Sequence, residues 1–214
     1  HVSAKPLNFG APLPTAPLGS FTLLAPDRML YAARCSSPVP HGEFVFNEDK
    51  SGPPNRAYLK LWEALTRFGA MPKAGDICLD LGASPGGWTW VLTRHHVRVW
   101  AIDNGPLRQH VLDSGLVEHL RADGFRWQPP GPLDWLVCDM VEQPSRVAAR
   151  MAQWFAHGWC RQAVFNLKLP MKKRWQETRL CLDLFREQAG RPLRVRTRQL
   201  YHDREEITVF ARPA

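Results

Sequence analysis

No run of apolar residues in this 214-residue chain approaches the roughly 20 that a membrane span requires, which points to a soluble protein. The N-terminal stretch, with prolines at 6, 12, 14 and 17, lacks the charged start and continuous apolar core of an export signal. The expected location is therefore cytoplasmic. The five cysteines (35, 78, 138, 160, 181) include no Cys-x-x-Cys pair, and two of them fall in expected central strands. They read as buried reduced thiols, not as a disulfide framework. The eight histidines show no metal-ligand spacing, and His95 and His96 would point to different sides of a helix, so no metal is expected. Also missing is Gly-x-Gly-x-x-Gly, the phosphate-binding fingerprint of dinucleotide folds, which argues against NAD. There is no internal repeat and no low-complexity tract.

What is present is an ordinary globular balance, 44% hydrophobic and 22% charged, in a length that suits one α/β domain plus an appendage. The net charge of +8 is regional. Residues 161–204 hold twelve Lys and Arg against four Asp and Glu, so this segment carries the whole excess and the remainder sums to zero. Met171-Lys172-Lys173-Arg174-Trp175 and Arg191 to Arg198 interleave basic with apolar residues, a pattern suited to tracking a phosphate backbone. A solvated basic face is the alternative reading of the same residues.

The first 54 residues hold nine of the nineteen prolines and no sustained periodicity, so they read as an extension. Within them, Phe21 to Leu24, Met29 to Ala32 and Glu43 to Phe46 suit small hairpins, with the turn at Ala25-Pro26-Asp27 the clearest. From Asn55 onward helix and strand patterns alternate. Tyr58, Leu61, Trp62, Leu65 and Phe68 recur at helical spacing before the stop at Gly69. Strands are expected at 76–81, 97–102, near 117–121, 134–138, 163–167, near 193–200 and 206–211. Helices are expected from 89 to about 95, from Pro144 to Gly158 and from about 171 to 189. Such alternation predicts a doubly wound, mostly parallel, Rossmann-like sheet.

Residues 79–88, Leu-Asp-Leu-Gly-Ala-Ser-Pro-Gly-Gly-Trp, form the most informative run. They follow an apolar strand and precede a helix, so they read as a tight glycine turn at a ligand-binding corner. Gly82, Gly86, Gly87, Asp103, Asp139 and Lys168 all fall at or just past the carboxyl ends of expected parallel strands, the edge at which open α/β sheets bind ligands. Asp103 is placed to accept hydrogen bonds from a ribose diol, and Asp123 to lie beside an adenine ring. Each aspartate taken alone also suits a turn or helix cap.

The stretch Asp80 to Trp88 resembles the S-adenosylmethionine motif of the FtsJ/RrmJ-type ribose 2′-O-methyltransferases, and Asn55 to Leu61 is similar to the segment that precedes it in that family. Cys138 to Glu142, Phe165 to Lys173 and Gln199 to Glu206 resemble the branch of the family that methylates a cytidine ribose in 23S ribosomal RNA. The likeness spans about residues 53–212. It implies a class I methyltransferase fold over 55–214, with an antiparallel last strand. It also implies S-adenosylmethionine as methyl donor, held by Asp80, Gly82, Ser84, Pro85, Gly86, Gly87, Trp88, Asp103, Asp123 and Asp139. RNA is the implied partner, along 161–204. That branch carries an N-terminal RNA-capturing part with a THUMP domain, for which 54 proline-rich residues are too few. A cap or transfer-RNA ribose methyltransferase, or an RNA-binding module with a vestigial donor site, are the alternatives.

The resemblance also implies a catalytic set of Lys60, Asp139, Lys168 and Glu206. A ribose hydroxyl is a poor nucleophile at neutral pH, so its proton must be removed while oxygen, carbon and sulfur are held in line. Lys168 is the candidate base, with Lys60 as a second cation beside it and Asp139 and Glu206 placed to orient the two lysine side chains. Lys60 taken alone reads as a solvated lysine. Glu205 competes with Glu206, because adjacent strand residues face opposite ways; the family pattern favours Glu206.

Overall fold

The computed structural model describes residues 5–214. The chain forms two compact units that divide between Asp49 and Lys50. In the first, β1 (Ser20–Ala25) and β2 (Arg28–Ala32) pair antiparallel around the Pro26-Asp27 turn, as their spacing predicts. Glu43 to Phe46 does not make a hairpin. Phe46 instead forms a single parallel bridge with Leu7. Pro38 and Pro40 precede this stretch and offer no N–H for a paired strand.

The second unit contains α1 (Tyr58–Phe68), β3 (Ile77–Leu81), α2 (Gly87–Thr93), β4 (Arg98–Ile102), α3 (Gln109–Leu112) and β5 (Val117–Leu120). It continues with β6 (Leu133–Cys138), α4 (Pro144–Ala156), β7 (Cys160–Lys168), α5 (Arg174–Gln188), β8 (Leu193–Arg198) and β9 (Glu206–Pro213). One seven-stranded sheet runs in the order β5-β4-β3-β6-β7-β9-β8. β5, β4, β3, β6 and β7 are parallel, and β9 is antiparallel to both of its neighbours. The chain winds outward from β3 to β5 and then returns to β6. The strand order therefore reverses between β3 and β6, where open α/β sheets bind ligands.

Apolar residues cover both faces of this sheet. On one, Phe68 of α1 stacks on Phe210 of β9, which packs against Trp135 of β6. On the other, Leu136, Phe165 and Val209 join Phe155 of α4 and Phe185 of α5 in the main core cluster. Alternate residues of β6 thus serve opposite faces, as the period of a strand requires. α1 ends on Gly69, whose positive φ of 62° closes the helix with its N–H on Leu65 O. α5 begins at Arg174, later than its apolar pattern suggests. Lys173 adopts a φ of 58°, and the Leu169 N–H is engaged by Glu205 O, so the segment before Arg174 is a turn.

Candidate active site

The glycine turn joins β3 to α2 over the end of β6. Gly82 has a φ of 78°, and a Cβ there would lie 2.6 Å from Met140 Cγ, so only glycine lets the turn close over the residue after Asp139. A Cβ on Gly87 would lie 2.2 Å from Asn55 Oδ1. The close approaches that these two glycines permit in this structure are to the protein's own chain.

Asp80 and Trp88 flank the turn from inside. Asp80 is fully buried; its Oδ2 accepts the Thr89 hydroxyl at 2.7 Å, while Oδ1 has no partner. Burial, reinforced by Asp139 and Asp103 and opposed by the Thr89 hydrogen bond, pushes its carboxyl up to about 7. The Trp88 indole is 3% exposed and donates to Ala57 O at 3.0 Å, tying α2 to the start of α1. Both side chains brace the turn from the interior.

Asp103 ties two loops together. Its Oδ2 accepts the Ser84 N–H at 3.0 Å and its Oδ1 the Gly105 N–H at 2.7 Å. The Ser84 hydroxyl donates to Pro106 O, and Pro85 O accepts the Arg108 N–H. The carboxylate is partly exposed and each oxygen takes a single N–H, so lone pairs remain for further donors such as ribose hydroxyls. Asp123 is exposed and caps its own turn, accepting the Phe125 N–H at 2.8 Å. That turn is held by a residue outside the sequence prediction: Arg150, 4% exposed on α4, donates to Gly124 O at 3.1 Å and to Trp127 O.

Four elements bring the predicted catalytic set together. Lys60 lies in the first turns of α1, Asp139 directly after β6, Lys168 at the end of β7 and Glu206 at the start of β9. Lys60 Nζ pairs with Glu206 Oε1 and lies 3.8 Å from Asp139 Oδ2. Lys168 Nζ pairs with Asp139 Oδ1 and lies 3.8 Å from Glu206 Oε1. Each ammonium therefore faces both carboxylates, and the formal charges cancel. Burial lowers the Lys60 pKa, but Asp139 and Glu206 outweigh it and hold the group above the usual lysine value. Glu205 stays outside, exposed and paired with Arg174.

A buried polar chain runs behind this set. Asn166 Nδ2 donates to Asp139 Oδ1 at 2.9 Å, and the Thr208 hydroxyl, within 2.7 Å of Asn166 Oδ1, lies 3.0 Å from Asp203 Oδ2. Burial, with Glu206 adding to it and the Leu200 and Thr208 hydrogen bonds opposing, raises Asp203 to about 6.

In the basic segment, Met171 is 79% and Trp175 69% exposed, with Lys172 and Lys173 exposed between them. Not every cation there is available. Arg196 donates to Phe68 O at 2.8 Å and so caps α1. Among the described residues no group of three or more His, Cys, Asp and Glu side chains is arranged to hold a metal, and no helix is long and apolar enough to cross a membrane.

Residues 53–152 match the FtsJ-like methyltransferase family. The chain is 71% identical over 166 residues to ribosomal RNA large subunit methyltransferase M of Stenotrophomonas maltophilia, a match covering 75% of this chain and 47% of that protein. It is 68% identical over 164 residues to the protein of the same name from Xanthomonas axonopodis, covering 74% and 47% respectively. It thus spans about half the length of these curated relatives. Methanococcus jannaschii fibrillarin, a pre-rRNA processing protein, shares the fold at a TM-score of 0.57 and 16% identity, over 74% of this chain and 76% of that one. Family match, identity and fold agree: the second unit of the chain carries an FtsJ-like methyltransferase domain.

Proposed function

We propose that this domain transfers a methyl group from S-adenosylmethionine to a ribose 2′-hydroxyl of RNA, with a cytidine of large-subunit ribosomal RNA as the target. The observation that carries the reading is the convergence of Lys60, Asp139, Lys168 and Glu206 at the carboxyl edge of the sheet, beside the glycine turn. High identity to proteins named for methylating large-subunit ribosomal RNA supports the substrate.

The donor fits the remaining capacity of Asp103 for ribose hydroxyls, the exposed Asp123 loop and the backbone of residues 82–87. When bound, it supplies an electrophilic methyl group on a sulfonium. The chain's own residues handle the acceptor. After its own proton has passed to solvent, the neutral Lys168 amine takes the proton of the ribose 2′-hydroxyl as the oxygen attacks, and becomes the ammonium that Asp139 holds. Asp139 and Glu206 hold the two lysine side chains in place, and Lys60 adds positive charge beside the developing oxyanion. The exposed Met171 to Trp175 run supplies cations for phosphates and an indole for stacking on a base.

Titration with S-adenosylmethionine followed by methyl transfer to 23S ribosomal RNA, transfer RNA and capped RNA, with the product nucleotide mapped, tests this reading. Donor binding with a 2′-O-methylcytidine in the 23S transcript is the expected result. Donor binding without transfer to any RNA would overturn it in favour of a vestigial site.

A further inference from the structure

Close to the catalytic set in the chain, and without a part in methyl transfer, is Glu63. It lies on α1, three residues after Lys60, and is completely buried. Its Oε1 accepts the Arg67 Nε–H at 2.7 Å and the Tyr201 N–H at 2.9 Å. Its Oε2 accepts the His202 N–H at 3.0 Å and lies 2.8 Å from His202 Nδ1. Those donors outweigh the cost of burial and hold the carboxyl below its usual range. A buried carboxylate costs several kcal/mol unless it is this well satisfied, and apolar packing joins a helix to a loop at lower cost. The arrangement therefore calls for a reason beyond adhesion.

The reason lies in what the two sides carry. The helix side presents Lys60. The loop side, residues 199–205, leads into Glu206, the partner of Lys60. The loop is also fixed internally, with the Leu200 N–H on Asp203 Oδ2 at 2.9 Å and Asp203 joined through Thr208 and Asn166 to Asp139. Both ends of the Lys60–Glu206 pair thus hang on one carboxylate.

We propose that Glu63 and His202 are positioning residues: their buried clasp locks the 199–205 loop to α1 and sets the alignment of Lys60 with Glu206 for methyl transfer. This rests on the methyltransferase reading above. Glu63→Gln keeps the volume but sets an amide N–H against a loop donor. His202→Ala removes the ring and leaves both backbone hydrogen bonds.

The test compares these variants, and their combinations with Lys60→Ala, in single-turnover methyl transfer to 23S ribosomal RNA, with rates normalised to donor-binding sites counted by calorimetry. Glu63→Gln is expected to lower the saturated rate about 10- to 100-fold and His202→Ala several-fold, with donor affinity and RNA KM unchanged. In a Lys60→Ala background neither should cost more than about twofold further, because the residue they align is already gone. A merely structural clasp would lower the number of active sites, not the rate per site, and its losses would add to that of Lys60→Ala. Unchanged rates per site, or additive losses, would overturn the proposal, and His202→Ala decides the matter alone if Glu63→Gln does not fold. A wild-type chain without methyl transfer would instead overturn the methyltransferase reading, and the clasp's catalytic role with it.

Discussion

Lys168 and Glu206 are direct partners in the antiparallel register of β7 and β9, the last residue of one strand facing the first of the other. Their side chains meet at the strand ends, with Nζ 3.8 Å from Oε1. Glu205, one position earlier, lies outside β9 and is exposed beside Arg174. Glu206→Gln is therefore expected to reduce methyl transfer by about 10-fold or more, while Glu205→Gln leaves it within about twofold, since exposed pairs contribute little. Turnover rates of the two variants check this; equal losses would contradict the assignment.

For the donor, Asp103→Ala should weaken S-adenosylmethionine binding by about 10- to 100-fold, the scale of losing charge-assisted hydrogen bonds worth roughly 1.5–3 kcal/mol. Gly86→Val should weaken it as well, because Gly86 caps the start of α2 at a φ of 114°, which a branched side chain resists. Calorimetry on the folded variants measures both, and unchanged affinities would rule out this edge as the donor site.

Reversing the charge of Lys172, Lys173 and Arg174 should flatten the salt dependence of RNA affinity by about 0.7–0.9 in log–log slope per lost phosphate contact, with donor affinity preserved. Fluorescence anisotropy over a range of salt concentrations gives the slope. An unaltered slope would leave this run as a solvated face.

The raised carboxyl of Asp80 sets a pH dependence of stability. Folded, Asp80 keeps its proton up to about pH 7, whereas unfolded it loses it near pH 4. Between these values the native chain binds more protons, so this group makes stability fall as pH rises from about 4 to about 7. Asp80→Asn cannot ionise, and its Oδ1 can still accept the Thr89 hydroxyl. Urea unfolding at pH 5 and pH 8 should show the wild type losing more stability than the variant. Equal losses would place the carboxyl at an ordinary pKa.

The alternation of elements, the glycine turn and the aspartate and lysine at the ends of β6 and β7 were legible in the sequence because each is local: an apolar strand followed at once by a polar residue. The antiparallel sense of β9 was implied only by the family likeness. Its insertion between β7 and β8 is not legible in the sequence, because strand order depends on distant pairing. Also hidden were the inward orientation of Asp80 and Trp88, which a motif string does not encode, and Arg150, which reads as an ordinary helix cation until Gly124 and Trp127 arrive from elsewhere in the chain. Glu63 and His202 lie more than a hundred residues apart, and neither falls in a motif that calls for the other.

The central claim is that Lys168 accepts the ribose proton, and single-turnover methyl transfer with saturating donor and RNA tests it most directly. Lys168→Ala should keep the fold and donor affinity yet lose about 10²-fold or more in rate, the usual scale for general-base help. Lys168→Arg should lose a similar amount, because a guanidinium keeps its charge near neutral pH and cannot take the proton. An arginine variant close to the wild-type rate would contradict the account: Lys168 would then act by charge and position alone, with the proton leaving to Asp139 or to water.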